Sequence, residues 1–375
     1  MAKIEITKTE LVWPGKYNED GTRRDVPRVN LPFQVIETIN ESRATRESKK
    51  APQQNALFDI YRGTEGETFE DGWKNKLIWG DNLLVMSSLL QKFAGKIDLI
   101  YIDPPFATGA DFSFEAIVGE ETLSLAKDQS VIEEKAYRDT WGSGMASYLQ
   151  MMTSRLWLMR ELLADSGSLF VHLDWHVGHY MKVILDEIFG EHNFRNEIVW
   201  HYPGREMHIS TKFNAKHDTI LFYAKSEMTS IRMANVAVPY KREERLKGLR
   251  RKVHKDKDGR EWVWETRGQS SGQEPYKRYV DEIISQGKPL SDVWDDLQFL
   301  RGNHPERVDY PTQKPSWLVE RIVKAATDEG QLVADFFAGS GTTAVAAETA
   351  GRRWIVSDLS RYAIHTVRKR MLEID

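Results

Sequence analysis

Two short stretches put carboxylates, glycines and an aromatic ring where chemistry can use them. The first is Asp103-Pro104-Pro105-Phe106, at the end of the apolar run KIDLIYID (96–103). Two prolines stop the chain from continuing as strand or helix and stiffen the loop. They hold a carboxylate, two carbonyls and a ring in a fixed array. Such an array suits a planar heterocycle bearing an amino group. Carboxylate and carbonyl would accept its two N–H bonds, and the ring would stack on its face. The plainer alternative is a rigid turn with a surface acid. The second stretch is Asp335-Phe336-Phe337-Ala338-Gly339-Ser340-Gly341, which runs into TTAVAAETA. Gly339 and Gly341 permit a tight turn and close approach of a ligand to backbone. Asp358 ends the next apolar run, 17 residues after Gly341, where an acid suits a ribose diol. The pattern G-x-G-x-x-G is incomplete, because position 344 is Ala, and an ordinary strand-to-helix turn is the alternative.

Loops of this kind bind ligands at the carboxyl ends of strands, where the strand order of an open sheet reverses. The flanking sequence supplies such strands. KIDLIYID is apolar on both faces, as a buried strand should be, and SLFVHLD (168–174), NEIVWH (196–201), DTILFYA (218–224), QLVADFF (331–337) and RWIVSD (353–358) read as further strands. Between them, 148–163 and 177–189 carry apolar residues at helical spacing. Helices are also predicted over 317–326, 343–350 and 361–372, the last capped by Ser360. This alternation predicts an α/β fold: an open, doubly wound, mostly parallel sheet with helices on both faces. The strands ending at Asp103 and Phe337 should then lie side by side, with both loops opening on one cleft.

Composition narrows the chemistry. The 375 residues are 41% hydrophobic and 29% charged, as in a folded protein, and no apolar run approaches the roughly 20 residues that cross a bilayer. The first ten residues lack an apolar core, so a cytoplasmic location and no membrane contact are expected. Cysteine is absent, which removes disulfides, thiolate metal sites and a cysteine nucleophile. Methylation of cytosine at carbon 5, which proceeds through a covalent cysteine adduct, is thereby excluded. The formal charge is −4, so nucleic-acid binding needs a local basic patch.

Taken together and in this order, the motifs resemble the amino-group DNA methyltransferases that use S-adenosylmethionine. The likeness is to their permuted branch, in which the catalytic loop precedes the cofactor glycine loop. It spans roughly 75–225 and 290–375. It also takes in IWGDN (78–82), SDVWDD (291–296) and YPTQKP (310–315). The chain is similar to bacterial modification methylases, including the modification subunits of type III restriction systems. The resemblance implies a catalytic set of Asp103, Pro104, Pro105 and Phe106, with adenine N6 in duplex DNA as target. Cytosine N4 is the alternative, and a non-catalytic DNA-binding subunit is a second one. It implies S-adenosylmethionine as cofactor, with Asp81 near its adenine, Asp358 on its ribose, and Gly339, Ser340, Gly341, Thr342 and Phe337 around it. Asp335, Thr312, Gln313, Lys314 and Pro315 would lie near its methionine end, with Lys314 partnering the carboxylate. Phe106 stands where many relatives have Tyr. Double-stranded DNA is the implied partner, and a second copy of the chain or a separate restriction subunit would be compatible with it.

Four segments are expected. These are an N-terminal arm (1–70), loosely structured except for a short packed element at 31–39, and a catalytic part (71–202). A target-recognition insertion (203–309) and a second catalytic part (310–375) follow. Within the insertion, 241–260 holds ten Lys or Arg against four Asp or Glu. Lys241, Arg242, Arg250, Arg251 and Lys252 are candidate phosphate contacts, with a solvated surface as the alternative. The cluster His172, Asp174, His176 and His179 lacks a known metal spacing and reads as a satisfied or DNA-facing loop, so no metal is expected.

Overall fold

The computed structural model describes residues 9–37, 66, 68, 72–105, 114–117, 124–127, 144–202, 211, 213–238, 240, 242–243, 252–265, 274–301, 303–308, 310 and 312–374. The elements run β1 (Lys76–Trp79), α1 (Asn82–Phe93), β2 (Ile97–Ile102), β3 (Phe114–Ile117), β4 (Ser124–Lys127), α2 (Met145–Leu162), β5 (Leu163–Leu173), α3 (Gly178–Phe189), β6 (Phe194–His201) and β7 (His217–Ala224). They continue with β8 (His254–Lys255), β9 (Glu261–Glu265), β10 (Tyr276–Tyr279), α4 (Val280–Ser285), β11 (Val293–Trp294), α5 (Ser316–Ala326), β12 (Leu332–Asp335), α6 (Thr342–Thr349), β13 (Arg353–Asp358) and α7 (Arg361–Glu373).

Eight strands form the central sheet, in the order β1-β13-β12-β2-β5-β7-β6-β11. All neighbours are parallel except those of β7, which is antiparallel to both β5 and β6. As expected, β12 pairs with β2, with Val333 opposite Leu99. Asp98 pins that register: its carboxylate accepts from the amide of Leu332 (2.8 Å) and from Gln331 Nε2 (3.1 Å). The two strands are buried on both faces, which is why they read as continuous apolar runs. Ile100, Ile102, Leu332 and Ala334 join a core with Met86, Met152, Leu156, Met159, Ile184 and Leu185 of α1, α2 and α3. Residues of opposite parity, Leu99, Tyr101 and Val333, turn to the other face, where α5 packs on β2 and α6. Asp103 continues the Tyr101 parity. Asp103 therefore emerges on the α5 side, where the 312–315 turn arrives.

The chain divides into two compact units, 1–230 with 292–375, and Ile231–Ser291. The second unit is narrower than the insertion expected over 203–309, because β7 and β11 belong to the central sheet. It holds an antiparallel sheet in the order β10-β9-β8, with α4 against it.

The N-terminal arm also departs from expectation. Residues 9–37 have no helix or strand, yet Trp13 and Lys16 are buried. Lys16 Nζ donates to Glu10 (2.5 Å), to the Leu11 carbonyl (2.6 Å) and to Glu187 of α3 (2.9 Å), and Arg23 pairs with the other Glu187 oxygen at 2.7 Å. A buried ammonium needs such partners, and they fix the segment. Residues 31–37 are not a packed element: Val35 and Ile36 are exposed. Their attachment is polar, through α1 hydroxyls, with the amides of Val29 and Leu31 donating to Ser87 (2.5 Å) and Ser88 (3.0 Å). Periodicity of apolar residues could not reveal it.

Candidate active site

The two loops meet. Asp103 follows β2, Asp335 ends β12, and a cavity at these strand ends is lined by Asp103, Asp335, Thr312, Lys314, Phe337, Gly339, Ser340 and Thr342 from the expected set. Tyr101, Val319, Ala338 and Thr343 complete its wall. Of these four, Tyr101 was legible in principle, since it lies two residues before Asp103 on one strand face.

Each member is held by its neighbours. Asp335 is buried; its oxygens accept from the Phe337 amide (2.9 Å) and the Thr343 hydroxyl (2.6 Å). Burial pushes its carboxyl up to about 7, against those two donors, and the charges of Asp103 and Asp358 push the same way. Asp358 accepts from the amides of Gly339 and Ser360, both at 2.8 Å. It thus ties the end of β13 to the glycine loop. Gly341 caps α6 at φ 80°, and a Cβ there would stand 2.7 Å from Val367. Glycine is required at this position by backbone conformation and by the close approach of α7. Thr342 donates to the Lys314 carbonyl at 3.1 Å and accepts from Arg370, which also donates to the Ser340 carbonyl at 2.9 Å. Glu306 holds Arg370 at 3.2 Å and accepts from the Ser316 amide at 3.0 Å. Arg370 and Glu306 therefore clamp the 312–315 turn onto the glycine loop. Neither was singled out as a site residue from the sequence; the folded chain identifies their role.

Lys314 reaches Asp103 rather than standing apart: its ammonium lies 2.5 Å from Asp103 Oδ2. Pro104 is buried and Pro105 half-buried, whereas Phe106 lies outside the described residues. Beside Asp103, Tyr101 bonds His172 Nδ1 at 3.0 Å, and His172 Nε2 bonds Asp218 at 3.0 Å. Tyr202 donates to the other Asp218 oxygen at 3.0 Å. Burial raises the Tyr101 phenol well above its ordinary value. Asp218 is held below the usual carboxylate range. Burial opposes that shift, but the His172 hydrogen bond and charge and the Lys314 charge outweigh it. His172 is thus a satisfied interior histidine. Among the described residues no group of His, Asp and Glu could hold a metal ion.

Other expected residues are placed differently. Asp81 does not line the cavity. It caps α1, accepting from Leu83 at 2.8 Å, and pairs with Arg155 at 3.1 Å. It follows β1, whose last residue Trp79 lies opposite Asp358, so it stands at the same end of the strands. Gln313 braces the preceding loop, donating to the Glu306 carbonyl (2.8 Å) and accepting from Val308 (2.9 Å). Pro315 precedes α5 as its cap residue. Of the candidate phosphate contacts, Lys241, Arg250 and Arg251 lie outside the described residues, and Lys252 is exposed. Arg242 is paired with Glu261, which reduces the charge it can offer to phosphate.

A family model described as DNA methylase (N6_N4) matches residues 97–369. The chain is 28% identical over 361 residues to the modification subunit of the StyLTI type III restriction-modification enzyme of Salmonella typhimurium, covering 79% of this chain and 53% of that one. It is 28% identical over 333 residues to the type II methyltransferase M.EcaI of Enterobacter cloacae, covering 79% and 69%. The chain thus spans about half the length of the StyLTI subunit. Among solved structures, the cytosine-N4-specific PvuII DNA methyltransferase aligns at a TM-score of 0.46 and 16% identity, over 80% of this chain and 91% of that chain. No helix among the described residues is long and apolar enough to cross a membrane. With both motif loops on one cavity and a family match across both, the chain belongs to the N6/N4 DNA methylase family.

Proposed function

We propose that this protein transfers a methyl group from S-adenosylmethionine to the exocyclic N6 of an adenine flipped out of duplex DNA. The observation that carries this reading is the shared cavity of Asp103 and the Asp335–Gly341 loop. Its donor set suits the cofactor. Lys314 lines the cavity and would offer an ammonium to a carboxylate, Asp335 lines it as a buried acid beside a cation, and Asp358, outside the lining but bonded to the Gly339 amide, would offer acceptor lone pairs to a ribose diol. When bound, S-adenosylmethionine would supply an electrophilic methyl on a sulfonium.

The chain's own residues lower the barrier to the transfer. Asp103 and the Pro104 carbonyl accept the two N–H bonds of the target amine. They favour the positive charge that develops on nitrogen, an interaction stronger in the transition state than before it. Phe106 stacks on the base, worth about 1–3 kcal/mol. Flipping costs a few kcal/mol, which phosphate contacts from the basic segment 241–260 offset. An Asp rather than a Ser at the first catalytic position favours adenine over cytosine. Cytosol is the proposed location, and a second copy of the chain or a restriction subunit is a proposed partner. Sequencing of genomic DNA with base-modification detection, with and without the protein, tests the reading. Methylated adenine at one recurring sequence supports it; unmodified DNA, or N4-methylcytosine, contradicts it.

A further inference from the structure

A row of polar groups crosses the sheet beside the cavity. Register pairs Tyr101 with Phe170 and Ile102 with Val171, and the next step sets His172 of β5 alongside Asp103 on one face. The Tyr101 hydroxyl meets His172 Nδ1 at 3.0 Å, His172 Nε2 meets Asp218 Oδ2 at 3.0 Å, and Tyr202 donates to Asp218 Oδ1 at 3.0 Å. Trp200 braces the imidazole edge-on at 5.7 Å and 85°. Tyr101 and His172 are both buried.

The chain has a direction. Asp218 lies below the usual carboxylate range, so it is ionised and can only accept. In a neutral imidazole one nitrogen donates and the other accepts. Nε2 therefore donates to Asp218, and Nδ1 accepts from Tyr101. The phenol keeps its single proton, because burial and the charges of Asp103, Asp335 and Asp218 raise it well above its ordinary value. With that proton committed to His172, the hydroxyl can offer the cavity that Tyr101 lines only an oxygen lone pair. It has no second hydrogen-bond partner among the described residues.

We propose that Tyr101 accepts the sulfonium end of S-adenosylmethionine through C–H···O contacts, with His172 and Asp218 as positioning residues that keep its proton turned away; this rests on the methyl-transfer reading above. Carbon-bound hydrogens beside a sulfonium are polarised donors, and an oxygen lone pair is their partner. The carboxylates of the wall are engaged elsewhere. Asp335 accepts from the Phe337 amide and the Thr343 hydroxyl, and Asp103 pairs with Lys314 and stands where the target amine would be held. Tyr101 lies two residues before Asp103 on the same strand face, so the methyl that must reach that amine is the cofactor group brought nearest to it. The demethylated product, S-adenosylhomocysteine, is a neutral thioether and loses the contact.

The test is calorimetry on the full chain at pH 8, with S-adenosylmethionine and S-adenosylhomocysteine as ligands of the parent, Tyr101→Phe, Asp218→Asn and the double variant. Tyr101→Phe keeps the ring and should lower the ratio of sulfonium to thioether affinity by about fivefold. Asp218→Asn lets Nε2 accept, so that Nδ1 can donate to Tyr101 and the phenol proton turns into the cavity. It should lower the ratio too, and the double variant should match Tyr101→Phe alone, because Asp218 acts through Tyr101. Loss of packing would weaken both ligands alike. An unchanged ratio in Tyr101→Phe therefore overturns the assignment, and equal losses for both ligands would give the hydroxyl to the α-ammonium that they share. Additive effects in the double variant would overturn the positioning role of Asp218. A methylation assay on the parent separates this inference from the reading beneath it. Methyl transfer with an unchanged ratio removes only the Tyr101 assignment. A lowered ratio in Tyr101→Phe, with no methyl transfer by the parent, removes only the enzymatic reading.

Discussion

Asp103 and Lys314 form an ion pair across the cavity, and both belong to motifs that the sequence had already singled out. The same cavity holds Asp335, whose burial stores a measurable pH dependence. With a folded value of about 7 against an ordinary 3.8, the folded protein keeps a proton there that the unfolded chain releases. Below about 3.8 the two states do not differ. As pH rises from there to about 7, stability falls, by at most about 4 kcal/mol, and it levels off above. Asp335→Asn cannot titrate. Denaturant unfolding at pH 4.5 to 8 should therefore show the parent losing stability relative to Asp335→Asn as pH rises. Parallel curves would mean that Asp335 titrates normally.

Among the elements, the turn into α6 carries the most constraint per residue. Gly341→Ala places a Cβ at φ 80° and 2.7 Å from Val367. The backbone term alone is about 1–2 kcal/mol, so the midpoint of denaturant unfolding should fall. Gly341→Ala with Val367→Ala should relieve the contact but not the dihedral, giving a loss smaller than the two single losses added together. A purely additive double variant would contradict the contact. Much of this level was legible in the sequence. Strand RWIVSD occupies Arg353–Asp358 as read, and the other predicted strands and helices differ only at their ends, because apolar periodicity records burial directly, whereas β1 and α1 were not predicted. SLFVHLD extends back to Leu163, since ADSG carries no apolar signal yet continues the strand. What periodicity could not show were polar tethers: Lys16 in its carboxylate cage, Ser87 and Ser88 on the arm, Arg370 with Glu306, and the Tyr101–His172–Asp218 chain. Each depends on partners tens to hundreds of residues apart.

For the whole molecule, the leading feature is segregation of charge, with net +6 in residues 231–291 and net −10 elsewhere. Such a division directs a polyanion to one unit while the remainder repels it. Neutralising Arg250, Arg251 and Lys252 should weaken binding to target and non-target duplex alike and flatten the dependence on salt, because phosphate contacts release counterions regardless of sequence. The methylated sequence should stay the same, since base-edge contacts specify it. Affinity across a salt series checks this, and an unchanged slope would assign these residues to a solvated surface. The central claim is that the acid at the end of β2 serves the target base while the loop after β12 serves the cofactor. Its most direct test measures both in one variant, Asp103→Ala: methyl transfer to duplex DNA with labelled S-adenosylmethionine, and cofactor affinity by calorimetry. Methyl transfer should fall by at least about 100-fold with cofactor affinity nearly intact. Near-normal turnover, or transfer and cofactor binding lost together, would contradict it.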